Sequence, residues 1–268
     1  MHSRREFLHR TIRTAAAAAL AGQVAWSQEP TQDPGQQEKF LSALPLPADL
    51  VGSRSLRAHG GARGLLVGCA VDPRNLPSTF PGSEDVERTD TDLYGQAVAT
   101  QANILVAENA MKWDSLRPTA DTFYFTDADR LFSFAAKAKQ KVRGHNLCWH
   151  EAIPAWLPQV ATKANAADLL VHHIEAVAGR YAGSVHSWDV VNEAINIDDG
   201  RPDNLRKSIW LDLIGPDYIE LAFKTAAKAD PHALLTYNDF GIELDTPEQM
   251  AKRGQVLMLV RRESLIKQ

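Results

Sequence analysis

The sequence has little cysteine, no long apolar run and no excess of basic residues. Its two cysteines, Cys69 and Cys148, lack the spacing of a metal site, and we expect two reduced or buried thiols rather than a disulfide. No apolar stretch reaches the roughly 18 residues that would span a bilayer. With 29 Lys and Arg against 33 Asp and Glu, the net charge is -4, which argues against nucleic acid as a partner. A length of 268 residues allows one large domain or two small ones.

The N-terminus resembles a twin-arginine export signal. Arg4 and Arg5 precede an alanine-rich apolar stretch, and small residues then offer a cleavage site before Gln28. Such a signal would carry an already folded protein to the periplasm or the extracellular space, with no membrane contact after cleavage. The segment after the cleavage site is rich in Gln, Glu and Pro, as flexible linkers are. We therefore expect a signal peptide over 1–27, a linker over 28–45 and a folded domain over 46–268.

The rest of the chain alternates between strand and helix patterns. Short apolar runs predict strands, and amphipathic segments between them predict helices. This alternation predicts a parallel sheet covered by helices. No glycine-rich phosphate loop comes after a predicted strand, which disfavours a nucleotide-binding α/β fold and favours a (β/α)8 TIM barrel. The predicted strands are 63–71, 103–107, 141–147, 185–191 and 233–237, and the predicted helices are 127–140, 166–178, 218–229 and one that begins at Thr246-Pro247.

The spacing of the strands conflicts with a whole barrel. Successive strands begin roughly 40 to 48 residues apart, so eight units would need well over 300 residues after the linker. We therefore expect only about the first five βα units of an eight-stranded barrel. A smaller open sheet is the alternative.

Polar side chains come after the predicted strands, at the points where the strands end. In a parallel barrel these strand ends meet at one mouth. Amides, carboxylates and a lysine can satisfy sugar hydroxyls, which need donors and acceptors in fixed positions, and aromatic rings can pack on sugar faces. Glycoside hydrolysis also requires a carboxylic acid that protonates the leaving oxygen. The residues concerned are Glu108, Asn109, Lys112, His145, Trp149, Asn192 and Glu193, with Tyr237, Asn238 and Asp239 as further candidates for the site wall.

Four segments of the sequence resemble the family 10 glycoside hydrolases, the retaining endo-1,4-β-xylanases. They read ENAMKWDSLRP, RGHNLCWHEAIPAW, WDVVNEAI and YNDFG, and the resemblance runs from about residue 60 to about residue 260. It implies a (β/α)8 barrel without cofactor or catalytic metal. It also implies a monomer that acts on xylan or xylo-oligosaccharides by cleaving β-1,4-xylosidic bonds inside the chain.

The same resemblance implies roles for individual residues. Glu193 corresponds to the general acid/base, and Asn192 to the amide that holds the 2-hydroxyl of the sugar. The other residues implied in substrate binding are Glu108, Asn109 and Lys112 on the glycone side, and His145 and Trp149 around the sugar next to the cleaved bond.

Structural roles compete with several of these assignments. Glu108 and Lys112 could instead form a surface pair on a helix, because they are four residues apart. Trp188 is predicted to lie in the barrel core rather than to serve as a sugar platform. His172 and His173 are predicted to be exposed or helix-capping residues rather than metal ligands.

The sequence departs from the family pattern in one respect. In the family the nucleophilic glutamate ends the seventh strand, after a Gln-x-His motif on the sixth, and neither motif is in this sequence. We therefore expect a C-terminally truncated barrel that lacks the nucleophile, since retention needs two carboxyl groups. Two alternatives stay open: a truncated barrel that is inactive or only binds xylan, and a barrel β-glucanase or cellulase. The segment ENAMKW favours xylan.

Overall fold

The computed structural model describes residues 52–77 and 90–262. The predicted signal peptide and linker lie outside these described residues. Among the residues that are described, no helix combines the length and the apolar character needed to cross a membrane.

Five parallel strands form one sheet, in the order in which they occur in the chain. Because all the strands run in the same direction, their carboxyl ends lie along the same edge of the sheet. This is the arrangement of the first five units of a (β/α) barrel, which confirms the prediction. Within the described residues the strands are β1 (Gly68–Val71), β2 (Ile104–Ala107), β3 (Lys141–Cys148), β4 (Ser187–Asn192) and β5 (Leu234–Asn238).

Helices connect the strands and cover the sheet. In the described part of the chain they are α1 (Leu56–Gly61), α2 (Asp90–Gln101), α3 (Trp113–Leu116), α4 (Thr126–Lys137), α5 (Leu157–Val160), α6 (Ala166–Arg180), α7 (Ile209–Ile214), α8 (Tyr218–Ala229) and α9 (Pro247–Arg262). Helix α8 buries an apolar stripe and keeps its charged residues outside, and it begins and ends where its 3.6-residue periodicity predicts.

The core is centred on β4, in which every residue is buried. Trp188 is fully buried, as predicted, and its indole nitrogen donates to Oδ2 of Asp230 at 3.0 Å. The ring crosses β3 at Gly144, where a Cβ atom would lie only 2.2 Å from the ring carbons. Gly144 therefore provides the space in which this indole packs between neighbouring strands.

Two predicted element boundaries were wrong by three residues or more. The first strand begins at Gly68 rather than at residue 63, because Gly64 turns the chain with φ 67° and pairing with β2 starts only at Ile104. Helix α4 ends at Lys137 rather than at residue 140, because Lys139 adopts the left-handed region with φ 53°.

The prediction for His173 was also wrong, because this residue is neither exposed nor a helix cap. Its side chain is fully buried and stacks on Trp113 with 3.7 Å between ring centroids. Within the described residues neither ring nitrogen has a hydrogen-bond partner. Burial, together with the positive charge of Arg117, lowers the pKa of His173 well below its ordinary value, so the ring is neutral.

Candidate active site

Glu193 comes directly after β4 at the carboxyl edge of the sheet, and its backbone is held from both sides. Its φ of 56° lies in the left-handed region, which non-glycine residues seldom occupy. The backbone nitrogen donates to the carbonyl of Asn238 at 2.8 Å, and the backbone oxygen accepts from Nε of Arg206 at 2.7 Å. These contacts fix the direction in which the carboxylate leaves the strand.

The carboxylate of Glu193 accepts a hydrogen bond on each oxygen. The indole Nε1 of Trp149 donates to Oε2 at 3.0 Å, and Nδ2 of Asn192 reaches Oε1 at 3.3 Å. Asn192 is itself buried, and its Oδ1 accepts from Nδ2 of Asn238 at 2.8 Å. Strands β3, β4 and β5 therefore each contribute to the position of this one carboxylate.

Trp149 is held in turn by a second indole. Nε1 of Trp210, in α7, donates to the backbone oxygen of Trp149 at 2.8 Å. Two residues earlier, Nε1 of Trp113 donates to the backbone oxygen of Leu147 at 2.8 Å. The end of β3 is thus fixed by hydrogen bonds from α3 on one side and α7 on the other.

Next to these residues, one buried carboxylate in β4 binds two side chains of the neighbouring strand β3. The side chain of Asp189 is fully buried and accepts hydrogen bonds from both Nε and Nη2 of Arg143. Its Oδ2 lies 2.8 Å from Nδ1 of His145. Burial raises the pKa of Asp189, but the hydrogen bonds from His145 and Arg143 outweigh it and hold the pKa below its usual value. An ionised carboxylate only accepts, so Nδ1 of His145 is the donor and Nε2 stays available.

The predicted glycone-side residues come after β2. Nζ of Lys112 donates to Oδ1 of Asn109 at 2.8 Å and lies 5.2 Å from the centroid of the Trp149 ring. Lys112 precedes α3, so a helical surface pair with Glu108 is not formed. The side chain of Glu108 is exposed beside Asn109, and its backbone nitrogen donates to the carbonyl of Val71 at 2.9 Å.

A line of direct contacts therefore connects most of the predicted site. It runs from Glu193 through Trp149 and Lys112 to Asn109. His145 lies beside this line, with 6.3 Å between its ring centroid and that of Trp149. Glu108 adjoins it through the backbone, since it precedes Asn109.

No three His, Cys, Asp or Glu side chains within residues 52–77 and 90–262 are grouped as a metal site would require. Both cysteines are free, Cys69 exposed and Cys148 buried. Burial raises the pKa of the Cys148 thiol far above its ordinary value, so this sulfur is not a thiolate nucleophile.

Comparisons with known proteins give a consistent result. The family model described as glycosyl hydrolase family 10 matches residues 55–265. An endo-1,4-beta-xylanase A from Thermoanaerobacterium saccharolyticum is 41% identical over 190 residues, which cover 66% of this chain and 15% of that protein. An exoglucanase XynX from Acetivibrio thermocellus is 42% identical over 190 residues, which cover 66% of this chain and 16% of that protein.

Solved structures show the same relationship. Native xylanase 10B from Thermotoga maritima superposes with a TM-score of 0.66 at 34% identity, covering 78% of this chain and 60% of that one. The chain thus spans about a sixth of the length of the two sequence relatives and three fifths of the solved xylanase. The family model alone matches well over half of the sequence, in the region that carries the strand-end residues. The chain therefore belongs to glycosyl hydrolase family 10.

Proposed function

We propose that the barrel to which these residues belong hydrolyses β-1,4-xylosidic bonds inside xylan chains with retention of configuration, and that Glu193 is its general acid/base. The observation that carries the proposal is the fixed carboxylate of Glu193, with Trp149 and Asn192 each donating to one of its oxygens. The contact line from this carboxylate to Asn109 supplies an indole face, an ammonium group and an amide. Sugar rings and their hydroxyls bind to such groups.

Glu193 would act twice in one turnover. In the first step its carboxylic acid gives a proton to the glycosidic oxygen as the bond to the anomeric carbon breaks, so the departing sugar leaves as a neutral alcohol. In the same step the carboxylate nucleophile bonds to the anomeric carbon in place of the departing sugar. In the second step the carboxylate of Glu193 takes a proton from the water that attacks this carbon and displaces the nucleophile. We propose that the amide of Asn192 holds the 2-hydroxyl of the sugar at that carbon.

Retention also needs a carboxylate nucleophile about 5 to 5.5 Å from the acid/base. The family resemblance assigns this role to a glutamate at the end of a seventh strand, whereas the sheet formed by the described residues has five strands. We propose that the present residues supply the acid/base and the glycone-side groups, and that the nucleophile belongs to a later unit of the barrel. We further propose export by the twin-arginine route and a monomeric state.

A chimera tests this proposal. The residues after 262 are replaced by those that complete the barrel of the Thermotoga maritima xylanase, and the chimera is compared with the unmodified chain on xylan. We expect the chimera to release reducing sugars and to form the β-anomer first, as judged by proton NMR. A folded chimera that leaves xylan intact, or that forms the α-anomer first, would contradict the proposal.

A second candidate function is hydrolysis of β-1,4-glucan. The observation that favours it is the name of one relative, an exoglucanase, which is as similar to this chain as the xylanases are. Xylotetraose and cellotetraose have the same linkage and differ in the hydroxymethyl groups of glucose. Initial rates of the chimera on the two tetrasaccharides therefore distinguish the candidates, and we expect xylotetraose to be preferred.

A further inference from the structure

A buried ion pair connects α9 to the end of β5. Nζ of Lys252, in α9, lies 2.7 Å from Oδ1 of Asp239, the residue that directly follows β5. The side chain of Asp239 is fully buried, and that of Lys252 is 11% exposed. Nζ of Lys252 also donates to the backbone oxygen of Phe240 at 2.8 Å. Because the loss of one partner would leave the other charge buried and uncompensated, this pair holds α9 against the end of β5.

Asp239 accepts a further hydrogen bond, from Tyr237. The hydroxyl of Tyr237 donates to Oδ2 of Asp239, and its oxygen accepts from the backbone nitrogen of Ile195 at 3.2 Å. Burial, together with the negative charge of Asp239, raises the pKa of Tyr237 far above its ordinary value, so the phenol keeps its proton. A first path of polar contacts therefore runs from Lys252 through Asp239 and Tyr237 to the backbone two residues after Glu193.

A second path from Lys252 reaches Glu193 through an aromatic ring. Nζ of Lys252 lies 3.8 Å from the centroid of the Phe240 ring, and Cζ of Arg206 lies 5.9 Å from the same centroid. Arg206 is the residue whose Nε donates to the backbone oxygen of Glu193. Two cations therefore contact one ring, which links α9 to the guanidinium group that binds the backbone of Glu193.

The backbone of Glu193 depends on contacts of this kind. Its φ of 56° is a conformation that L-residues disfavour, and such a conformation persists only where the surrounding structure holds it. The two paths end at the backbone oxygen of Glu193 and at the backbone nitrogen of Ile195. A shift of this segment would redirect the carboxylate, because the side chain leaves the backbone at the residue that these contacts hold.

We infer that Lys252 is a positioning residue for the acid/base. Through the two paths it holds the left-handed backbone of Glu193, and with it the direction from which the carboxylic acid reaches the glycosidic oxygen. The inference rests on the proposed function, which supplies the acid/base role of Glu193. It gives α9 a part in catalysis, although Lys252 acts only through other residues.

The leaving-group dependence of the chimera tests this role. The constant compared is kcat/KM on aryl β-xylobiosides, since it reports the step in which the glycosidic bond first breaks. Lys252→Met approximates the length of the side chain and removes its charge. We expect kcat/KM to fall roughly 10-fold on poor leaving groups, which need a proton, and to stay within about threefold on good leaving groups, which do not.

Two further variants separate positioning from stability. Tyr237→Phe breaks the first path and keeps the ion pair, so it carries the test if Lys252→Met does not fold, and the same leaving-group pattern is expected. Lys224→Met is the matched control, because it removes an exposed ion pair with Glu220 on α8 and should leave kcat/KM unchanged on both kinds of substrate. Thermal unfolding establishes that each variant is folded.

Amide hydrogen exchange in the full-length chain, without the added barrel units, tests the first path directly. The backbone N–H of Ile195 donates to the hydroxyl of Tyr237, so its exchange rate reports whether that hydroxyl is in place. Lys252→Met should raise this rate roughly 10-fold or more, whereas Lys224→Met should leave it unchanged. An unchanged rate in folded Lys252→Met would refute the path from α9.

The outcomes separate the positioning role from the proposed function. If the chimera is active but folded Lys252→Met loses the same factor on good and poor leaving groups, or loses nothing, the positioning role is refuted while the proposed function stands. The same reading applies to Tyr237→Phe where Lys252→Met does not fold. If the chimera with Lys252 intact is folded and cleaves neither xylan nor the aryl xylobiosides, the proposed function fails and the positioning role fails with it.

Discussion

Nε1 of Trp149 donates a hydrogen bond to Oε2 of Glu193 at 3.0 Å, which joins the end of β3 to the end of β4. The same indole ring lies beneath the ammonium group of Lys112. One side chain thus orients the proposed acid/base and connects it to the groups proposed to bind the sugar. Changes at Trp149 should therefore affect catalysis and binding separately, according to which part of the ring is altered.

Trp149→Phe keeps an aromatic face and removes the donor to Glu193. In the chimera we expect kcat on xylan to fall roughly 10- to 100-fold, since a hydrogen bond to a charged group is typically worth about 1.5–3 kcal/mol. KM should change less, because the ring remains. The control is Trp156→Phe, which removes a comparable bond from Nε1 to the backbone oxygen of Arg117 at 2.9 Å. Equal losses in the two variants would show that the bond to Glu193 has no special role.

Glu193→Ala should lower the activity of the chimera on xylan by about 100- to 10,000-fold, the usual contribution of general acid/base catalysis. The loss should be smaller on aryl xylosides whose leaving groups need little protonation. Added azide should restore part of the turnover by attacking the glycosyl-enzyme in place of water. If both kinds of substrate lose the same factor, Glu193 is not the acid/base. Glu151→Ala, an exposed glutamate on the loop after β3, is the matched control.

Asp189→Asn should destabilise the fold at neutral pH by about 1–3 kcal/mol, because it weakens a buried pair whose partner Arg143 is partly exposed. The folded-state pKa of Asp189 lies below its unfolded value of about 3.9, so its stabilising effect is complete above that value and is lost as the pH falls further. Urea unfolding between pH 3 and pH 7 measures both effects. The difference between the wild type and Asp189→Asn should narrow below about pH 4. The exposed Asp121→Asn should show neither effect.

Gly144→Ala should be among the most damaging of the glycine substitutions. The new Cβ would lie 2.2 Å from the buried ring of Trp188, and overpacking of this kind typically costs about 1–3 kcal/mol or more. Gly179→Ala is the matched control, since it sits in α6 and, apart from its chain neighbours and the backbone of that helix, no atom lies within 4 Å of its Cβ position. We expect that control to be neutral or stabilising by up to about 1 kcal/mol. Chemical denaturation of the two variants checks the contrast, and a neutral Gly144→Ala would contradict it.

Much of the scaffold can be predicted from local patterns in the sequence. The strand that ends at Asn192 is an apolar, β-branched run, and α8 keeps its amphipathic period from Tyr218 to Ala229. Helix α2, Asp90–Gln101, was not predicted, because its apolar residues do not form a continuous stripe. Local periodicity thus identifies elements that pack strongly on one face and misses those that do not.

The interior polar contacts could not be predicted in the same way. Asp189 and Arg143 are charged residues in strands, and nothing in their spacing shows that they meet across β3 and β4. Arg206 and Trp210 come from the segment after β4 that carries no strand pattern, yet both hold the site through backbone oxygens. The residues proposed to touch sugar were predicted from motifs, whereas the residues that position them depend on the register of the sheet.

The left-handed backbone of Glu193 lowers the stability of the fold, whereas the proposed chemistry requires a carboxylate at this position. An L-residue gives up about 1–2 kcal/mol in this conformation, and glycine alone adopts it freely. A library of variants selected only for folding should therefore enrich glycine at position 193. A library selected for growth on xylan should instead keep the glutamate, and its members should unfold at a lower temperature than the glycine variants.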